Sequence, residues 1–132
     1  MKKQKKTPKP IDPRLHGLID YGFAATNLLV PKLWRMPKRN RRLFAAFGLI
    51  QGGLNAVTAQ PNALVPDVPF AVHGKIEKVS TPIFVVAPLL LRTHKSPKGM
   101  LYWLLTGVAL VAVYNLTDWD AQKTSSSKKK RR

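Results

Sequence analysis

LFAAFGLIQGGLNAVTA, residues Leu43 to Ala59, contains no charged side chain and no proline, and the uncharged run continues to Pro66. As a helix these residues rise about 25 Å, close to the ~30 Å hydrocarbon core of a bilayer. Gly48, Gly52 and Gly53 would weaken a helix standing in water, whereas in lipid small residues let a neighbouring backbone come close. The stretch predicts a membrane-spanning helix whose polar positions are Gln51, Asn55 and Thr58.

Three further segments follow by working outward. Gly99 to Thr117 is uncharged, with Tyr102, Trp103 and Trp119 near its ends, where interfacial aromatics belong. A soluble four-helix bundle needs a charged or strongly polar face on every helix, and neither of these two segments offers one. Leu15 to Trp34 carries His16, Asp20, Tyr21, Thr26, Asn27 and Lys32; Ala71 to Leu91 opens with His73, Lys75, Glu77 and Lys78 and then runs uncharged through Pro82 and Pro88. Both are long enough to cross, with the lysines of the latter snorkelling toward headgroups. RMPKRNRR at Arg35 to Arg42 and RTHKSPK at Arg92 to Lys98 read as basic connectors, and QPNALVPDVPF at Gln60 to Phe70 as a loop.

The predicted architecture is all-α, a four-helix transmembrane bundle over residues 15–121. Basic tails flank it at 1–14 and 122–132, polar enough in composition to predict disorder. The net charge of +17 is mostly terminal, since each tail holds six of the 23 Lys and Arg. The absence of Cys excludes disulfides, thiolate metal sites and cysteine nucleophiles.

A shift of 57 residues aligns HGLID at His16 to Asp20 with HGKIE at His73 to Glu77, and LLVP at Leu28 to Pro31 with VVAP at Val85 to Pro88. The chain therefore reads as two tandem two-helix units, 15–59 and 71–117, inserted with the same orientation. Cytoplasmic termini place 14 basic residues inside and nine outside, from Lys32 to Arg42 and Arg92 to Lys98, which leans toward that topology for a multi-pass membrane protein.

His16 and Asp20 share a helix face at i, i+4, and His73 and Glu77 repeat the relation. If the copies pack together, the four meet near one membrane surface. The main expectation is structural: paired polar groups holding a small membrane protein of structural or interaction type together, with no cofactor. One alternative is an ion- or proton-coupled transport subunit using Asp20 and Glu77. The other is a metal-dependent membrane enzyme holding zinc or iron at His16, Asp20, His73 and Glu77. Asn27, Asn55 and Asn115 complete the predicted polar cluster; a polar path running from the quartet through Asn55 and Asn115 would favour transport. Gly17 and Gly74 read as helix-contact positions. The basic segments suit anionic lipid headgroups, with a membrane-protein partner or a second copy of the chain as further partners. Nucleic acid is disfavoured, because the tails hold no aromatic residue. No phosphate loop, nucleophile elbow or dinucleotide fingerprint occurs, so catalysis has little support in the motifs.

HGLIDYGFAATNLLVPKLW resembles the opening of small bacterial four-helix membrane proteins with tandem SPW repeats, through His16, Gly17, Asp20, Tyr21 and Pro31. Val30 and Lys32 replace the serine and tryptophan of the repeat ending, and the second copy keeps His73, Gly74 and Pro88 but has Glu77 and Lys78 for Asp-Tyr. The resemblance implies a multi-helix membrane protein and no particular activity.

Overall fold

Asp12 followed by Pro13 starts the first helix: the Asp12 carboxylate accepts from Leu15 N at 2.8 Å, and proline supplies a helical φ where no N–H is needed. Ser96 and Pro97 start the last one in the same way, with Ser96 Oγ accepting from Gly99 N. The computed structural model describes residues 6–121 and contains four helices: α1 (Pro13–Leu33), α2 (Lys38–Val57), α3 (Phe70–Leu90) and α4 (Pro97–Leu116), with a short 3-10 turn at Thr93–Lys95. The tail expectations for 1–5 and 122–132 lie outside the described residues.

Three boundaries differ from the sequence reading. Residues 11–14, assigned to a disordered tail, are ordered: Ile11 is buried and pairs with the end of α4 through Ile11 N to Leu116 O and Asp118 N to Ile11 O. The first basic connector shrinks to 34–37, because α2 begins at Lys38 and carries Lys38, Arg39, Arg41 and Arg42 in its first turns. The second connector also feeds into a helix earlier than expected, at Pro97.

Sequential helices run antiparallel. A Cβ on Gly48 would come 2.9 Å from Ala24 O and from Asn27 Cβ, so glycine is what lets α2 lie on the backbone of α1. Asn55 Nδ2, two turns further along α2, reaches Gly17 O at 2.8 Å. The starts of α1 and α3 and the ends of α2 and α4 therefore share one end of the bundle. The basic connectors share the other, linked by Lys98 Nζ to Trp34 O and Arg39 Nη1 to Leu91 O. α1 and α3 are each 21 residues with bounds 57 places apart, and left-handed Arg35 (φ 52°) and Arg92 (φ 56°) follow them at the same interval.

Polarity is distributed inside out. Among the described residues thirteen polar side chains are buried against ten apolar ones, prolines included, while Leu49, Ile50, Val79 and Val108 are each more than 60 % exposed. Water-soluble folds do the reverse. The apolar core, Phe44, Phe84, Tyr102 and Leu110 together with Met36 of the first connector, lies on the connector side of the polar end. Among the described helices α4 is long and apolar enough to cross a membrane. The other three, expected to span, are not: α2 because of the basic residues in its first turns, and α1 and α3 because of their polar heads.

Candidate metal centre

One helical turn separates His16 from Asp20 on α1 and His73 from Glu77 on α3, and packing of these two helix starts brings all four inside, none more than 4 % exposed. His16 Nε2 lies 3.2 Å from Asp20 Oδ2 and 3.2 Å from Glu77 Oε1; His73 Nε2 lies 3.1 Å from each of the same two oxygens. The four donors alternate N, O, N, O around a closed ring and lie within 4.8 Å of one another. The centre of such a ring sits roughly 2.0–2.4 Å from its members, nearest when the ring is folded, and zinc bonds to imidazole nitrogen and carboxylate oxygen measure about 2.0–2.2 Å.

The outer ring nitrogens fix the tautomers. Thr58 Oγ1 gives its single proton to Leu54 O at 2.6 Å, so toward His73 Nδ1, 2.7 Å away, it can only accept, and Nδ1 carries the hydrogen. Thr117 Oγ1 donates to Val113 O at 2.6 Å and accepts from His16 Nδ1 at 2.9 Å. In the neutral imidazoles both Nε2 atoms thus turn a lone pair inward, toward carboxylate oxygens. Lone pairs facing lone pairs need a cation, and an outer N–H held by an oxygen is the usual support for a metal-bound histidine. Gln51 Nε2 holds the other Asp20 oxygen, Oδ1, at 3.1 Å.

Aromatic rings close the end of the bundle. Trp119 packs edge-on to His16 at 4.7 Å and stacks on His73 at 5.9 Å, with Phe70 5.0 Å from the indole. Gly74 makes room for it: a Cβ there would come 2.7 Å from Trp119 Cε3. Gly17 makes room for the Gln60 side chain in the same way. The glycines after the histidines are thus contact positions, but toward side chains at the ends of α4 and α2. Gly74→Ala is expected to displace the indole and cost about 1–3 kcal/mol, read by thermal unfolding in detergent. Gly17→Ala, which meets only the end of a flexible glutamine, is expected to cost less.

Of the predicted cluster, His16, Asp20, His73 and Glu77 converge, and Asn55 is buried nearby, donating to the carbonyl of Gly17, the residue after His16. Asn27 is buried elsewhere, accepting from Tyr102 Oη at 2.6 Å beside the apolar core. Asn115 is a correction: it is exposed and donates to Val111 O of its own helix, so it does not belong to the cluster. The path from the quartet through Asn55 and Asn115 is therefore not formed. The sequence reading missed Thr58 and Thr117 as histidine partners and Trp119 as a cover. Their signal was position: each threonine directly follows one of the cleaner apolar helices.

No family model, curated protein or solved structure matches the chain.

Proposed function

We propose that this chain is a multi-pass membrane protein, built from two tandem two-helix units, whose four helices hold one divalent transition-metal ion, zinc or iron, at His16, Asp20, His73 and Glu77. The observation that carries the metal is the inward pair of lone pairs, set by Thr58 and Thr117, around a gap of metal-bond size. Two carboxylates and a divalent ion sum to zero charge, which suits a site sealed from water. Two imidazolium ions would balance the charge as well. In that arrangement both Nε2–H groups are better aligned on Glu77 Oε1, and Asp20 Oδ2, 3.1–3.2 Å from the same nitrogens, is the poorer acceptor.

The membrane reading is supported by the inside-out polarity and by α4; the duplicated unit is supported by the matched bounds and left-handed residues 57 places apart. Lys38, Arg39 and Arg42 surround a shallow cleft of about 390 Å³ floored by Leu43 and Leu91, a shape that suits an anionic lipid headgroup with its first methylenes. The charge placement supports cytoplasmic termini.

Full-length protein is expected in the membrane fraction after alkaline extraction, and elemental analysis of detergent-purified protein is expected to find about one zinc or iron per chain. Recovery as a monodisperse species without detergent overturns the membrane assignment. Metal below about a tenth of an equivalent after purification without chelator leaves the quartet as an ion-pair network.

A further inference from the structure

Beside the quartet, between α2 and α3, a cleft of about 60 Å³ has Glu77, Gln51 and Thr81 among its lining residues and Phe47, Phe84 and Leu110 as apolar walls. Its edges include Ile50 and Ile76, 67 % and 40 % exposed, so it opens onto the apolar outer face of the bundle. We propose that this cleft is a binding subsite for the terminal hydroxyl of a single-chain, lipid-soluble alcohol, seated against Glu77 and Thr81. The inference rests on the metal reading in one respect, the charge of Glu77.

Two unpaired atoms point to an occupant. Glu77 is 4 % exposed and its Oε2 has no hydrogen-bond partner; Thr81 is 8 % exposed and its Oγ1 has none either. The other threonines of the bundle behave differently. Thr26, Thr58, Thr106 and Thr117 each donate to the carbonyl four residues back, and Thr93 donates to Pro88 O. Thr81 leaves its hydroxyl free one turn beyond Glu77, on the same helix face. Buried polar atoms are normally paired, so two orphans on neighbouring turns of one helix face, both from residues that line one cleft, mark a missing partner.

The partner must both donate and accept: Glu77 Oε2 offers lone pairs, and Thr81 offers a proton. One hydroxyl does both and leaves no further polar atom to satisfy. Size limits the rest, because a single water takes about 10–15 Å³ of such volume, so the cleft admits a hydroxyl and a few methylenes and excludes a ring system. Charge narrows the choice again. No Lys or Arg is among the lining residues, so a carboxylate or phosphate head would meet Glu77 uncompensated; with the metal balancing Glu77 and Asp20, a neutral head is preferred. The alkyl chain leaves past Ile50 and Ile76 into lipid.

The test uses full-length, detergent-purified protein and three photoreactive probes of equal chain length carrying a diazirine near one end: a primary alcohol, an alkane and a fatty acid. Crosslinks are mapped by mass spectrometry, with metal content measured on the same samples. The alcohol is expected to label the cleft between Phe47 and Phe84 several-fold more than the alkane, and Thr81→Val is expected to remove that preference with metal content unchanged. Equal labelling by alcohol and alkane, a preference for the fatty acid, or an unaltered preference in Thr81→Val overturns the subsite. Metal-loaded protein without preference sinks the subsite alone; metal-free protein that still prefers the alcohol sinks the metal reading and leaves the subsite standing.

Discussion

His73→Ala, purified in detergent, is expected to bind zinc more than about 100-fold more weakly than the unaltered chain, because losing a direct ligand exceeds the 10–100-fold typical of losing a supporting group. Its unfolding temperature should also stop responding to chelator. In the unaltered protein a metal held at 1,000 times its dissociation constant stabilises the fold by about 4 kcal/mol, so chelation should lower the transition by several degrees. The variant has no such stabilisation to lose. It also leaves Asp20 and Glu77 facing one histidine, and breaking a buried pair in this way costs about 3–5 kcal/mol, so it should unfold earlier than even the chelated parent. Calorimetry on parent and variant, each with zinc and with chelator, measures both effects. A parent indifferent to chelator, with a variant that is merely less stable, would mean that protons bridge the quartet.

The second large effect is expected from two residues that touch no metal. Thr58→Val and Thr117→Val remove the acceptors that hold the Nδ1 hydrogens of His73 and His16, leaving each ring free to rotate or change tautomer. Each substitution is expected to weaken zinc binding about 10–100-fold. Because the two threonines act on different rings, the double variant should lose close to the product, about 10²–10⁴-fold. Thr→Ser at either position keeps the oxygen and should recover most of the affinity. A competition titration against a chelator of known strength reads the series. If the valine variants bind zinc like the parent, the tautomer argument fails and the inward lone pairs lose their basis.

How much of this was legible in the sequence depends on how local each feature is. The uncharged runs Leu43 to Ala59 and Gly99 to Thr117 lie within α2 and α4 apart from Thr58, Ala59 and Thr117 at their ends, because an uncharged run is visible along the chain. The starts of α1 and α4 were equally readable, as a capping residue followed by proline at Asp12-Pro13 and Ser96-Pro97, but the charge of the flanking segments outweighed that signal. Asn115 went wrong for a different reason: a lone amide on an apolar helix satisfies itself equally well inside a bundle or against its own backbone, and only packing chooses. Asn27 pairs with Tyr102, 75 positions away, which no local pattern encodes.

Helix count, helix type and the i, i+4 pairing of each histidine with its own acid were determined by the sequence alone, since they depend on spacing within a single helix. Tertiary structure alone decided that the two pairs close into one ring, that threonines from the ends of α2 and α4 hold the far sides of the imidazoles, and that Thr81 keeps an unpaired hydroxyl beside Glu77. Those facts turn on the separation and rotation of helices remote in the chain, which are set by which side chains interdigitate across the interface.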